Sequence, residues 1–407
     1  MGDGSRILCA AAALVALVAL RPSTVDARGW DWAGTASFTA LTGEGFPEGE
    51  VENDIQVDVI HLKLIAEPTD FFHLSIAPCL AHPGMGFMLM HAFVGLTGPH
   101  PMLNLEVGQV IVPFGRINYL SEPGNQPVRS RPFIFEDLCT PDLFHRRGFP
   151  APIAASTWTT LGALYYGSLW PGDYTQIWLA AWAGNGLSGI GDVEWRRRGG
   201  QYVDNNDSKS YGARLVFTQE VVPASGPAAM FSFGGSFTGG KYDDFDELYD
   251  WVAGADVQID IGQLTIQAEY VHRSTNFRAT SAADSAETVF DNYRTDGFYA
   301  HVHQRLPGKL SFLSLFARIE GMWRTGPEWV GSAQTSLDPD ALDDRVNRML
   351  RYTVGFPIQL NAWITLKPEF WFTDYEHDVK GELVALEILE DDDRDVYRLA
   401  LGLDVAF

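Results

Sequence analysis

The sequence predicts an all-β fold, a transmembrane antiparallel β-barrel of about 16 strands, and three observations support this fold class. Apolar and polar residues alternate with period two in segment after segment, as in strands with one apolar and one polar face. The connections alternate between short and long, as in barrels with short periplasmic turns and long extracellular loops. Beyond residue 20 there is no run of about 18 apolar residues, so the sequence excludes a helical membrane protein.

The C-terminal stretch DVYRLALGLDVAF shows the alternation clearly. Its apolar residues Leu399, Leu401, Leu403, Val405 and Phe407 are separated by residues that are polar or small. We expect the apolar set to face lipid and the alternate set to face the barrel interior. A slip of one residue in strand register would exchange the two faces.

The whole chain divides into strand segments of this kind. Fourteen or eighteen strands would fit the same pattern, because Pro357 and Pro368 fall inside proposed strands and remove hydrogen-bond donors. The predicted segments are 30–39, 54–66, 70–78, 86–96, 102–112, 156–167, 173–183, 209–220, 228–238, 249–260, 263–273, 294–305, 311–324, 348–358, 362–375 and 394–407.

The N-terminus has the features of a cleavable signal peptide. Arg6 precedes the apolar stretch ILCAAAALVALVAL, and small residues at Val25 and Ala27 offer a cleavage site. The apolar stretch is too short for a spanning helix. We therefore predict that residues 1–27 are removed on export and that 28–407 form a single barrel domain in the cell outer membrane.

Composition narrows the class of function. The chain is 46% hydrophobic and 13% aromatic, which argues against disorder. It has 29 Lys and Arg against 52 Asp and Glu, a net charge of −23, so a nucleic-acid-binding protein of the usual basic kind is excluded. No Gly-rich phosphate loop, metal-ligand spacing or nucleophile signature is present, and we predict no enzyme activity, no metal and no cofactor.

The chain resembles a Gram-negative outer-membrane porin in three features: the export signal, the alternating strands and the terminal Phe407. The stretch LEVGQVIVPFGRIN at 105–118 is similar to a strand-to-loop segment of phosphate-selective porins of the O and P type, including its Pro113-Phe114-Gly115 turn. The resemblance implies that barrel-assembly machinery recognises Phe407, that lipid and lipopolysaccharide surround the barrel, and that the protein forms a homotrimer. A long series of lysines, expected in the most phosphate-selective members, is absent from the sequence.

The longest loop follows the fifth predicted strand and spans 113–155. In general porins the third long loop folds inward and narrows the channel, and we expect the same here. The apolar pieces RPFIF and DLF would anchor the loop against the barrel wall. Facing basic and acidic side chains at such a constriction would select solutes by charge. An external loop with internal ion pairs is the alternative. The candidate residues are Arg116, Arg129, Arg131, Glu136, Asp137, Arg146 and Arg147.

The inward positions of the last five predicted strands carry a second set of charges. Because burying an unpaired charge costs several kcal/mol, we expect this face to be in contact with water and to line the channel. The predicted channel-wall residues are His301, His303, Arg305, Arg318, Glu320, Arg324, Arg351, Lys367, Glu369 and Arg398.

These features predict a passive diffusion channel for small hydrophilic solutes that favours anions, phosphate-like anions among them. The alternative is a barrel with an occluded lumen whose loops act as an adhesin or surface receptor.

Two cysteines remain after removal of the signal peptide. Cys79 and Cys139 fall in neighbouring predicted loops on the same side of an oxidising compartment, where a disulfide between them would restrain the long loop. Two unpaired thiols in separate apolar patches are the alternative.

Overall fold

The computed structural model describes residues 30–44, 51–81, 87–118, 126–135, 153, 158–185, 207–242, 246–280, 287–325, 346–377 and 394–406. The predicted signal peptide and Phe407 lie outside these residues. The described strands form one sheet. They are β1 (Trp30–Glu44), β2 (Val51–Thr69), β3 (Phe72–Ala81), β4 (Phe87–Thr97), β5 (Asn104–Ile111), β6 (Thr159–Gly172), β7 (Thr175–Asn185), β8 (Lys209–Val221), β9 (Ala229–Lys241), β10 (Tyr249–Ile261), β11 (Leu264–Thr280), β12 (Glu287–Arg305), β13 (Ser314–Thr325), β14 (Val346–Gly355), β15 (Ile358–Gln359), β16 (Ile364–His377) and β17 (Arg394–Ala406).

The sheet is closed and antiparallel. Each strand pairs with its neighbours in sequence, and β1 pairs with both β2 and β17. The segments β14 and β15 are two parts of one barrel strand, because both pair with β16. Pro357, which has no N–H, lies at the break between them. The barrel therefore has 16 strands, and the predicted fold class is confirmed.

The tight connections all lie at one end of the barrel. They join β2 to β3, β4 to β5, β6 to β7, β8 to β9, β10 to β11, β12 to β13 and β15 to β16. At the opposite end, four connections are far longer, at 112–158, 186–208, 326–345 and 378–393, and the other four have five to seven residues. These connections lie partly outside the described residues. Several strands extend further towards that end than the sequence predicted: β11 runs to Thr280 and β12 begins at Glu287.

Burial along the strands is the reverse of that in a soluble sheet. On β17, Leu399 and Leu401 are 52% and 47% exposed, whereas Arg398 and Ala400 are 7% and 1% exposed. Apolar side chains thus face outward and the alternate set faces the interior, so the predicted register of this strand is confirmed at these four residues. No helix among the described residues has the length and apolar character needed to cross a membrane.

Candidate channel constriction

The predicted loop 113–155 is described at 113–118, at 126–135 and at Ile153, and these parts pack inside the barrel. The short 3-10 turn Phe133–Phe135 is buried and belongs to an apolar cluster with wall residues of β11 to β14. That cluster includes Val271, Tyr299, Met322 and Met349. The apolar stretch RPFIF therefore fixes this part of the loop to the wall, as the sequence suggested.

Asn118 holds the two ends of the loop together. Its side-chain amide donates to the Val112 carbonyl, and its side-chain oxygen accepts from the Trp158 N–H at 2.7 Å. The Val112 N–H donates to the Trp158 carbonyl at 2.8 Å. Asn118 is fully buried, so these bonds close the base of the loop away from water.

The turn at Pro113-Phe114-Gly115 directs the chain into the barrel. Gly115 has φ +63°, a left-handed conformation that favours glycine. Its N–H donates to Ser236 Oγ at 3.0 Å, and the Arg116 N–H donates to Glu269 Oε2 at 3.3 Å. Wall side chains therefore supply the hydrogen bonds that the turn does not make within itself.

The same part of the wall binds the Arg116 side chain. Its Nη1 donates to Ser232 Oγ at 3.2 Å and lies 3.6 Å from Asp256 Oδ1. Arg214 pairs with both oxygens of Asp256, at 2.6 and 3.0 Å. Arg214 and Asp256 were not among the site residues predicted from the sequence. Their charges in the middle of predicted strands could have identified them.

Gly115→Ala should lower the unfolding free energy of the barrel by more than the strain of placing alanine in the left-handed backbone conformation of Gly115. A Cβ at this position would overlap Glu269 Oε1 and lie 2.6 Å from Phe135 Cζ. We expect the unfolding free energy to fall by about 2–4 kcal/mol, because backbone strain and overpacking add together. Urea unfolding in detergent micelles measures this change.

Gly308→Ala is the matched control, because Gly308 also has φ +63° but its Cβ would meet nothing within 4 Å. The control should lose only about 1–2 kcal/mol, the cost of the backbone conformation. Equal losses in the two variants would show that the contacts with Glu269 and Phe135 do not matter.

A second group of wall residues, which we call the anchor network, consists of Arg318, Glu320, Arg351 and Glu369. Its carboxylates bind backbone N–H groups of the loop. The Arg129 and Ser130 N–H groups donate to Glu369 at 3.1 and 2.9 Å. The Phe133 N–H donates to Glu320 Oε2 at 2.6 Å.

The arginines of the anchor network bind the loop's carbonyl groups. Arg318 Nη1 donates to the Ser130 carbonyl at 3.0 Å, and Arg351 Nη2 donates to the Arg131 carbonyl. Both arginines also donate through Nε to Glu320 Oε1, at 2.9 and 2.7 Å. The Arg351 guanidinium lies 3.9 Å from the centre of the Phe133 ring, within the range of a cation–π contact.

The expectation that this inner face is in contact with water is wrong at the anchor network. Glu320 and Arg351 are fully buried, and Glu369 is 1% exposed. Buried charges are tolerated when ion pairs and hydrogen bonds replace water, and here the loop backbone supplies those bonds. The placement of these side chains supports a role in holding the loop.

The other predicted wall residues lie in different surroundings. His301 is buried between the rings of Tyr299 and Phe316, and His303 is half-buried. Lys367 is buried and pairs with Asp404. Arg398 is buried as well, whereas Arg305 is exposed at the tight-turn end of β12, where it donates to the Ser311 carbonyl. The side chain of Arg324 lies outside the described residues.

The predicted loop residues are described only in part. Arg129 is half-buried and donates through Nε to Thr39 Oγ1 on β1 at 2.7 Å, and Arg131 is buried. Cys79 is buried on β3, and its disulfide stays a prediction. Cys139, Glu136, Asp137, Arg146 and Arg147 lie outside the described residues.

The wall on β2, β3 and β5 carries a further set of polar side chains. His73 Nε2 lies 3.9 Å from Glu106 Oε1, and both side chains are partly exposed. Lys63, on β2, is half-buried. The described polar contacts of the loop segments 113–118 and 126–135 with the strands are instead with β9 to β16 and with β1. The apolar cluster to which Phe114 and Ile117 belong also includes Val110 on β5, Leu164 on β6 and Trp182 on β7. Within the described part of the chain, no group of three or more His, Cys, Asp or Glu residues could hold a metal ion.

No family model and no curated protein matches this chain, but solved outer-membrane structures do. The outer membrane channel DcaP of Acinetobacter baumannii is 10% identical with a TM-score of 0.55, over 95% of this chain and 100% of that one. An anion-selective porin from Comamonas acidovorans is 10% identical with a TM-score of 0.55, over 93% and 99%. Salmonella typhi OmpF is 11% identical with a TM-score of 0.54, over 93% and 97%. At these identities the likeness establishes a porin barrel as the fold and does not bear on the phosphate-selective type.

Proposed function

We propose that the protein is an outer-membrane porin, a passive channel through which small hydrophilic solutes diffuse. The observation that carries this proposal is the position of the loop, which is anchored inside a closed 16-strand barrel. A barrel of this size is wide enough for a water-filled channel, and an inserted segment would narrow it. The likeness to channel proteins gives further support and favours a channel over an enzyme.

The open path would run between the loop and the wall around β2 and β3, because β5, β6 and β7 contribute Val110, Leu164 and Trp182 to the apolar cluster that includes the loop. The loop segment packs on the other side of the barrel, through Arg116 to Asp256 and through Ser130 to Glu369. The partly exposed pair His73 and Glu106 would then face solutes in transit. This geometry favours a channel over the alternative of an occluded barrel that acts as an adhesin or receptor.

We further propose that the channel favours anions, phosphate-like anions included. Arg129 on the loop is half-buried, whereas Glu369 beside it is 1% exposed. The Glu369 carboxylate is buried behind the loop, where its charge is paired. A solute in the channel would therefore come closer to the charge of Arg129 than to that of Glu369. Assembly through Phe407 and a homotrimeric state are further parts of the proposal that rest on the resemblance alone.

Reconstitution in planar bilayers tests the channel and its selectivity. Stepwise conductance and a reversal potential that favours anions are expected. Arg129→Gln should lower the anion-to-cation permeability ratio about twofold, because it removes a charge inside the channel. Lys209→Gln makes the same charge change on the outer face of β8 and should leave the ratio unaltered.

Two outcomes would contradict the proposal. Folded protein that gives no conductance steps would favour the occluded receptor. Equal reversal potentials for wild type and Arg129→Gln would place this arginine outside the conduction path and remove the support for anion preference.

A further inference from the structure

A group of polar side chains lies on the inner wall, in the half of the barrel nearest the tight turns. We call it the wall cluster, and it consists of Lys63 on β2, His73 on β3, Glu106 on β5 and Tyr166 on β6. Each side chain belongs to the strand face that points into the barrel, and each is partly exposed. These residues were not among the site residues predicted from the sequence.

His73 and Glu106 approach each other across a glycine. His73 pairs in register with Gly95 on β4, and Gly95 pairs in turn with Glu106. A Cβ at Gly95 would overlap the His73 ring, so this glycine allows the imidazole to lie across β4 and reach towards Glu106. His73 Nε2 lies 3.9 Å from Glu106 Oε1, which is too long for a direct hydrogen bond.

The separation of these two atoms fits a single ammonium group between them. A nitrogen that lies about 2.8 Å from each atom would have them at an angle of about 90°, because the two atoms are 3.9 Å apart. An ammonium group has three N–H donors, so one can bind Glu106 and another can bind the acceptor nitrogen of a neutral His73. The pair therefore has the geometry of a site for a cationic group.

Neighbouring side chains hold the two residues in place. The His73 ring contacts Phe93 edge to face, with 5.9 Å between the ring centres. The Tyr166 hydroxyl donates a hydrogen bond to Glu106. Phe93 and Tyr166 both pack against the apolar cluster that includes the loop. The site is therefore formed before a solute arrives, which lowers the entropic cost of binding.

Lys63 supplies a positive charge at the same place. It is half-buried on β2, beside the open path, and its charge attracts the Glu106 carboxylate. A lysine has three N–H donors and a carboxylate has several acceptor positions, so both groups can bind a solute and keep their contacts within the chain. A solute carboxylate at Lys63 and a solute ammonium at Glu106 would leave each charge paired.

We propose that the wall cluster binds small zwitterionic solutes that carry one ammonium and one carboxylate group. The inference deepens the proposed function and rests on the open path beside β2 and β3. A simple anion attracted by Lys63 would be repelled by Glu106, and a simple cation attracted by Glu106 would be repelled by Lys63. Only a solute with both charges gains at both residues.

The test compares three probes with the same carbon chain: γ-aminobutyrate, butyrate and butylammonium. Ligand-observed saturation-transfer NMR on the full barrel in detergent micelles measures their affinities. Wild type should bind γ-aminobutyrate at least about fivefold more tightly than either singly charged probe, because two charge-assisted contacts form instead of one.

Four variants assign the binding to individual side chains. Glu106→Gln should lower the affinity for γ-aminobutyrate about fivefold and should not weaken butyrate binding, whereas Lys63→Gln should weaken both. His73→Phe keeps a ring over Gly95 but removes the acceptor, and should lower the affinity for γ-aminobutyrate about threefold. Glu220→Gln makes the same charge change at the exposed end of β8 and should bind as wild type does. Urea unfolding of each variant establishes that the barrel is folded.

Several results would overturn the proposal. They are equal affinity for γ-aminobutyrate and butyrate, a folded Glu106→Gln variant that binds γ-aminobutyrate as tightly as wild type does, and an equal loss in Glu220→Gln. Bilayer conductance separates this proposal from the proposed function. Normal conductance without preference for the zwitterion removes the wall cluster alone, and preference for the zwitterion without conductance removes the channel alone.

Discussion

Replacing Glu320 with alanine should cost about 3–5 kcal/mol of unfolding free energy, because the change leaves two arginines buried without their carboxylate. Arg318 and Arg351 both donate to Glu320 Oε1, and the Phe133 N–H donates to Oε2. Urea unfolding in detergent micelles measures the loss. We also expect noisier single-channel conductance, because the loop would lose its attachment at Phe133.

Three further variants define what Glu320 does. Glu320→Gln keeps an acceptor and should lose less than alanine does, because only the charge is removed. Glu220→Ala, at the exposed tight-turn end of β8, should be nearly neutral. Combining Glu320→Ala with Arg351→Met should restore part of the stability, because one buried charge is removed as well. Strictly additive losses in the double variant would mean that the two residues are not coupled.

Placing a charge on the outer face should be the second large effect. Leu401 is 47% exposed and lies on the outer face of β17. We expect Leu401→Arg to cost about 2–4 kcal/mol in lipid, the range for arginine near the midplane of a barrel membrane. Folding yield in lipid vesicles and urea unfolding in the same vesicles measure this cost.

The control for Leu401→Arg must be an arginine introduced at a residue that faces the barrel interior and has space around it for the larger side chain. Ala400, the adjacent inward residue, is 1% exposed, so an arginine there would overpack and is a poor control. His303 is inward on β12 and half-buried, and His303→Arg should be tolerated. If Leu401→Arg folds in vesicles as well as His303→Arg does, the outer face of β17 is not in contact with lipid.

Much of the barrel could be predicted from the sequence because its signals are local. The face on which Leu399 and Leu401 lie follows from alternation over a few residues. The predicted strands are too short where the chain becomes polar beyond the apolar part of the barrel. For example, β12 begins at Glu287, whereas the predicted segment begins at residue 294. Hydrogen bonding continues the strands there, although the alternation of apolar residues no longer marks them.

The candidate site could be predicted only in part. The apolar stretch RPFIF indicated a loop packed on the wall, and Phe133, Ile134 and Phe135 are buried there. The motif VPFGRIN indicated a strand-to-loop segment, but not that Asn118 joins the two ends of the loop. Nor did the motif show that Gly115 is required by the close approach of Glu269 and Phe135.

The sequence by itself determined the barrel, the direction of its faces and the loop that enters it, because period-two alternation and loop length are properties of neighbouring residues. Only the tertiary structure decided what the interior charges do. Glu369 and Ser130 are 239 positions apart, and no local pattern relates them. A charge on an inward face signals either water or a buried partner, and sequence spacing does not distinguish the two. Here the loop backbone covers Glu320, Arg351 and Glu369 and replaces their water, so side chains that had the pattern of a channel lining anchor the loop instead.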